Sequence, residues 1–142
     1  MELTFDVVID EGCYMPESAH DADAGYDLRA PEAFVICPGG SVVVDTGVHI
    51  AIQKGYVGFL KSKSGLNVRD HLTGEGVIDS GYTGSICVKL YHNRPDQPAK
   101  RFDAGDKIIQ IVFLPIAKPT LRQVKSLDPT ERGDAGLGST GV

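Results

Sequence analysis

The 142-residue sequence has no tryptophan, no C-x-x-C pair and no apolar run approaching the length of a membrane span. Each absence removes a class of protein. Without roughly 20 consecutive apolar residues no helix crosses a bilayer, so no membrane association is expected. Cys13, Cys37 and Cys87 are odd in number and far apart. That argues against a disulfide framework and for a reducing compartment, with each thiol a small buried hydrophobe. The opening MELTFDVVIDEG lacks the basic-then-apolar order of a secretory signal, and a cytoplasmic location is expected. Nor is there a basic excess: the net charge is -5 and the pI about 5.2. A protein that grips nucleic acid through a general basic surface is therefore not expected. A small anion such as a nucleotide stays compatible, because a few Arg, Lys and backbone amides or a metal can hold it. His20, His49, His71 and His92 show no metal-ligand spacing, which disfavours zinc. No segment keeps a helical period over eleven residues, and there is no internal repeat.

What is present is a set of short extended segments punctuated by 17 Gly and 8 Pro. The length suits one domain with a real core. Residues 2–9 read as a first strand and 10–24 as a loop. Phe34 to Ile36 is a brief strand. From Ser41 to Ile52 the pattern alternates, with Val44, Thr46, Val48, Ile50 and Ile52 on one face, so a single strand is expected. Tyr56 to Leu60 follows, and residues 67–75 are polar. Ser85 to Tyr91 alternates again, with Ile86, Val88 and Leu90 inward. Lys107 to Ile116 is almost continuously apolar, as in a strand covered on both faces. A last strand is expected over Leu121 to Val124, and a one-turn helix start at Asp128-Pro129-Thr130-Glu131. Short strands with Gly/Pro turns indicate an all-β sandwich or barrel. Residues 1–127 form the domain and 128–142 a flexible Gly-rich tail.

Few residues carry chemistry. In Gly76-Val77-Ile78-Asp79-Ser80-Gly81-Tyr82-Thr83-Gly84, a carboxylate ends a short apolar run and enters a Gly-flanked turn. That placement suits a general base, although Asp commonly bonds its own turn backbone instead. Gln110 interrupts an apolar strand and needs hydrogen-bond partners, from core backbone or from a ligand edge. The tail from Gly133 to Gly141 offers amides and hydroxyls behind Arg132, groups that suit phosphates. It is no P-loop, since Ser139 stands where that motif needs Lys. Lys63-Ser64-Gly65 matches the K-[ST]-G triplet of serine β-lactamases, but the S-x-x-K those enzymes also need is missing.

Taken in order, five segments resemble the motifs of the trimeric dUTP diphosphatase (dUTPase) family: DAGYDLRA ending at Ala30, KSGL from Lys63, GVIDSGYTG from Gly76, GDKIIQIVF from Gly105 and RGDAGLGSTG from Arg132. The resemblance spans about Asp23 to Gly141. It implies an antiparallel jelly roll assembled as a homotrimer, each active site drawing on three chains, with the C-terminal tail of one closing over the site of another. It implies hydrolysis of dUTP to dUMP and diphosphate with Mg²⁺ on the triphosphate. Asp79 would activate water, with Ser64 and Gln110 in the same machinery. Lys63, Ser64 and Gly65 would hold phosphates. Gly76, Val77 and Ile78, in a hairpin from Thr73 to Tyr82, would read uracil through backbone groups, and Tyr82 would exclude a 2′-hydroxyl. Arg132, Leu137, Gly138, Ser139 and Thr140 would close over the nucleotide. Asp27 would touch the metal through water only.

Three positions depart from the family pattern. Lys63 and Lys107 stand where Arg is usual, keeping charge without the bidentate fork. Leu137 stands where a Phe usually covers the base. These departures keep open an alternative, a nucleotide-binding module that regulates a protein partner, against which the intact Asp79, Ser64 and Tyr82 weigh. A dCTP deaminase-related enzyme is a further alternative, opposed by the intact GVIDSGY.

Overall fold

The computed structural model describes residues 1–138, 140 and 141. Its strands are β1 (Asp6–Ile9), β2 (Tyr26–Arg29), β3 (Phe34–Ile36), β4 (Ser41–Asp45), β5 (Val48–Ala51) and β6 (Tyr56–Lys61). A short helix, α1 (Ser64–Asp70), comes next. Then follow β7 (Leu72–Thr73), β8 (Glu75–Ile78), β9 (Cys87–His92), β10 (Lys100–Phe102) and β11 (Lys107–Pro115). All pairings between these strands are antiparallel. One sheet has the order β2-β11-β6-β8 and another β4-β9-β7, with the pairs β1-β5 and β10-β3 beside them.

The inward face of each alternating strand fills the core. Val44, Thr46, Val48, Ile50 and Ile52 are all buried, as are Ile86, Val88 and Leu90. The stretch from Ser41 to Ile52 is nevertheless two strands rather than one. Gly47 takes φ 67°, a left-handed conformation that breaks the ladder between β4 and β5. A Cβ there would lie 2.2 Å from Cys13 Sγ, so close packing also demands glycine. Because the break leaves the side-chain alternation intact, period two reads straight through it.

Other expectations need correcting. The first strand is only β1, four residues long. β11 is covered at Ile108, Ile109 and Ile111, but Leu114 and the following Ile116 are 43% exposed, so only its end is open. Ile108 and Ile109 are consecutive yet both buried because the register with β2 shifts between Lys107 and Ile109, a bulge that turns an extra side chain inward. Leu121 to Val124 forms no strand and Asp128 starts no helix; both lie in an exposed segment that joins no sheet among the described residues. The thiols are not core hydrophobes: Cys37 and Cys87 are exposed and Cys13 is half-buried.

Three elements escaped the pattern. Two turns of helix are too short to show a 3.6-residue period, and α1 has no buried residue to mark one. It stops at His71, whose left-handed backbone (φ 59°) lets its N–H reach Asn67 and Leu66 carbonyls. β7 is held by pairing with β9 alone. β10 pairs only with β3, where Phe102 and Phe34 stack at 4.9 Å.

Candidate active site

The first, second and fourth motifs converge on one cleft of about 420 Å³, lined by Asp27, Lys63, Ser64, Gly65, Lys107 and Gln110 together with the Ala19–Gly25 side of the preceding loop. Asp27 lies on β2 opposite Gln110 of β11, which in turn faces Lys61 at the end of β6. The chain leaves β6 there and Lys63 becomes the N-cap residue of α1. Ser64 and Gly65 are thus in the helix's first turn, where backbone N–H groups have no intrahelical acceptor. Both are exposed, and the Ser64 hydroxyl makes no hydrogen bond among the described residues.

Asp27 is the electrostatic centre of the cleft. It is 7% exposed, and both of its oxygens are taken: Lys63 Nζ donates to Oδ1, and Lys107 Nζ lies 3.2 Å from Oδ2. Burial pushes its carboxyl up, but the two ammonium groups outweigh burial and hold it below the ordinary carboxylate range. Lys63 and Lys107 are balanced in number by Asp27 and Asp23, which also lines the cleft, but both ammonium groups gather on the Asp27 side. Gln110 donates from Nε2 to the Ser62 carbonyl at 3.1 Å, so core backbone satisfies its amide while the residue still lines the cleft.

The residues fit a divalent ion in one way only. No group of three His, Cys, Asp or Glu side chains that could hold a metal ion exists among the described residues. Asp27, each of whose oxygens already pairs with a lysine, is suited to meet an ion carried on phosphates through water.

The third motif lies elsewhere on the same sheet. Ile78 of β8 pairs with Gly58, which puts Asp79 beside Val57. Lys61, at the cleft end of β6, is four residues farther on, about 13 Å at ~3.3 Å per residue, and Ser64 lies beyond it. Asp79 is exposed. Its carbonyl accepts the Tyr82 N–H at 3.1 Å, closing the turn, while its carboxylate makes no hydrogen bond among the described residues. The turn therefore does not consume the side chain. Tyr82 is 43% exposed, and its hydroxyl donates to the Ser85 carbonyl at 2.5 Å.

The expected hairpin from Thr73 to Tyr82 is not a hairpin. Thr73 belongs to β7 in one sheet, whereas Glu75–Ile78 is β8 at the edge of another. An edge strand has one side of its backbone unpaired, so alternate residues along Gly76, Val77 and Ile78 turn their N–H and C=O groups away from β6. Of the fifth motif, Arg132 donates from Nε to the Ala135 carbonyl at 2.9 Å, and Leu137, Gly138 and Thr140 are exposed. Among the described residues, none of these four lines the cleft or bonds the Asp79 turn. Ser139 lies outside the described residues.

Reading the motifs missed His49, whose ring bonds both Asp10 and the Thr83 carbonyl of the third-motif turn. Its partners come from distant sequence, and no local pattern could have marked it.

Residues 12–141 match the family model for dUTPase. The deoxyuridine 5'-triphosphate nucleotidohydrolase of Cutibacterium acnes is 44% identical over 131 residues, covering 90% of this chain and 86% of that protein. The protein of the same name from Corynebacterium glutamicum is 40% identical over 138 residues, covering 95% and 92%. Among solved structures, the Staphylococcus bacteriophage 80alpha dUTPase with dUPNHPP superposes with a TM-score of 0.89 at 32% identity, covering 98% of this chain and 99% of that one. The dUTPase mutant from phage phi11 of S. aureus, described as revealing the coordination of a structural Mg(II) ion, gives a TM-score of 0.79 at 32% identity, covering 87% and 98%. The all-β antiparallel fold is the jelly roll of these enzymes. With five motifs in order, a match over nearly its whole length and this fold, the chain belongs to the dUTPase family.

Proposed function

We propose that the protein hydrolyses dUTP to dUMP and diphosphate, supporting dTTP synthesis and keeping uracil out of DNA. The observation that carries the reading is the unattached carboxylate of Asp79, set just past the end of an edge strand in a dUTPase-family chain that also gathers two lysines in a cleft. Asp79 takes a proton from water, whose oxygen attacks the α-phosphorus. The bond from that phosphorus to the bridging oxygen of the leaving diphosphate breaks in line. Chemistry of this kind depends on positioning and on neutralising charge, with little covalent work for the protein.

The roughly 13 Å of strand between Asp79 and the cleft supports a site shared between subunits. In a homotrimer, the Asp79 turn of one chain meets the Lys63–Lys107 cleft of another, and the tail of a third, residues 128–142, closes over both. Lys63, the Gly65 amide and the Ser64 hydroxyl hold phosphate oxygens, and Gln110 orders the neighbouring water. The unpaired side of the strand through Gly76, Val77 and Ile78 pairs with uracil and rejects cytosine, whose donors and acceptors are reversed. Tyr82 packs on the sugar where a 2′-hydroxyl would need room. Mg²⁺ bound across the triphosphate would supply charge neutralisation, touching Asp27 only through water. Arg132 clamps the γ-phosphate, Leu137 covers the base, and Gly138, Ser139 and Thr140 wrap the phosphate chain.

The test is diphosphate release from dUTP, beside UTP, dCTP and dTTP, with Asp79→Asn as control. Release from dUTP alone, lost by at least about 10²-fold in the Asn variant as for a general base, is the expected result. Binding of dUTP without turnover would instead favour a module that regulates a protein partner.

A further inference from the structure

The turn carrying Asp79 and Tyr82 is bolted to the segment between β4 and β5. Ile86 N–H donates to the Val48 carbonyl at 2.9 Å and Thr46 N–H to the Ile86 carbonyl at 3.0 Å. Gly47 N–H donates to Ser85 Oγ at 3.0 Å, and the Ser85 hydroxyl donates to Asp45. A further bolt is His49, outside all five motifs. Its Nδ1–H donates to the Thr83 carbonyl at 2.8 Å and its Nε2–H to Asp10 Oδ1 at 3.1 Å. A carbonyl and a carboxylate only accept, whereas a neutral imidazole carries a single N–H. Both bonds can exist together only in the imidazolium.

We propose that His49 is a positioning residue for the uracil- and sugar-binding turn, and that its protonated ring, gripping the Thr83 carbonyl and Asp10, makes affinity and sugar discrimination pH-dependent. The inference rests on the role proposed for Tyr82, which directly precedes Thr83.

The groups facing the ring favour its charge. Asp10 comes from the end of β1 and Asp45 from the end of β4, while residues 80–86 carry no charged side chain. The Tyr82 hydroxyl is engaged by Ser85. The thiols nearest these carboxylates stay neutral: burial, then Asp10 and Asp45, push Cys13 up, and burial with Asp45 pushes Cys87 up. The Thr83 carbonyl first, and Asp10 second, raise His49 above the ordinary histidine value. A raised folded pKa means the contribution is complete below the ordinary value of about 6.5 and fades as pH rises through the higher one. Alkaline conditions therefore leave one N–H for two acceptors, so the clamp between Asp10 and Thr83 opens at one end and the turn beside Tyr82 is held less firmly.

The test compares the full-length protein with His49→Gln and His49→Lys, using diphosphate release from dUTP and UTP between about pH 6 and about pH 8.5, the range of a histidine switch. NMR of the ring nitrogens and of the Tyr82 and Thr83 amides accompanies it. The wild-type KM for dUTP should rise about fivefold across that range relative to the Gln variant, the weight of one hydrogen bond. The preference for dUTP over UTP should fall alongside, with kcat little changed. The Lys variant, charged throughout, should keep a low KM with a flat profile. The two amides should titrate with the ring. Parallel profiles in wild type and Gln variant, or a ring bearing one N–H near pH 6, would overturn the assignment. If the wild type releases no diphosphate, the proposed function falls separately. The clamp is then judged by NMR alone, and amides that fail to titrate with the ring refute it.

Discussion

Replacing Asp27 by Asn should destabilise the protein at neutral pH and leave it almost unaffected in acid. The substitution keeps the shape of a side chain that is 7% exposed but removes the charge between Lys63 and Lys107. Removing one partner of a fully buried ion pair costs about 3–5 kcal/mol. Here the lysine side chains are 28% and 35% exposed, so solvent screens much of the loss, and an Asn oxygen still accepts one hydrogen bond. A net cost of about 2 kcal/mol follows from that discount. For a chain of 142 residues that is a fall in Tm of about 7 °C. The sign with pH is fixed by the depressed carboxyl of Asp27. A lowered folded pKa gives stability that is present above the ordinary carboxylate value of about 3.9 and lost as pH falls through the folded one. Urea unfolding of both proteins at equal concentration, at neutral pH and stepwise into acid, measures this. Equal concentration matters because subunit association adds to apparent stability. A gap that closes in acid is expected. A gap under about 0.5 kcal/mol at neutral pH, the range of ordinary surface substitutions, or one that persists below the folded pKa, would refute the picture of Asp27 as the template for two lysines.

Other perturbations separate the tail from the turn. Leu137→Phe should lower the KM for dUTP at least about fivefold, since base–aromatic stacking is worth roughly 1–3 kcal/mol. Deleting residues 132–142 should abolish that gain and weaken binding of a dUTP analogue, as read by calorimetry; unchanged affinity would remove the tail from the site. Gly84→Ala places a Cβ 2.6 Å from the Tyr82 hydroxyl and 2.7 Å from Cζ. The ring end can swing away cheaply, so stability should change by less than about 1 kcal/mol. The ratio of dUTP to UTP turnover should nevertheless fall, and an unchanged ratio would argue against Tyr82 as the sugar gate.

The sequence by itself determined the alternating part of the core and the five segments that mark the family. Alternation is a local property of extended backbone, so Val44 through Ile52 and Ile86 through Leu90 were legible even across the break at Gly47. The five motifs were legible because each is contiguous and their order is fixed along the chain. Tertiary structure alone decided the rest. α1 has too few residues to show a period, and it exists because Lys63 is drawn to Asp27 and His71 caps it in a left-handed conformation. β7 and β10 exist through partners distant in sequence. The division of Thr73 and Glu75–Ile78 between two sheets turned an expected hairpin into a free edge. Strand register likewise set the cleft and Asp79 at opposite ends of β6, a separation no motif records. His49 shows the same limit most plainly. Its partners Asp10 and Thr83 lie 39 and 34 residues away, and only folding brings a carboxylate and a carbonyl to the two nitrogens of one ring.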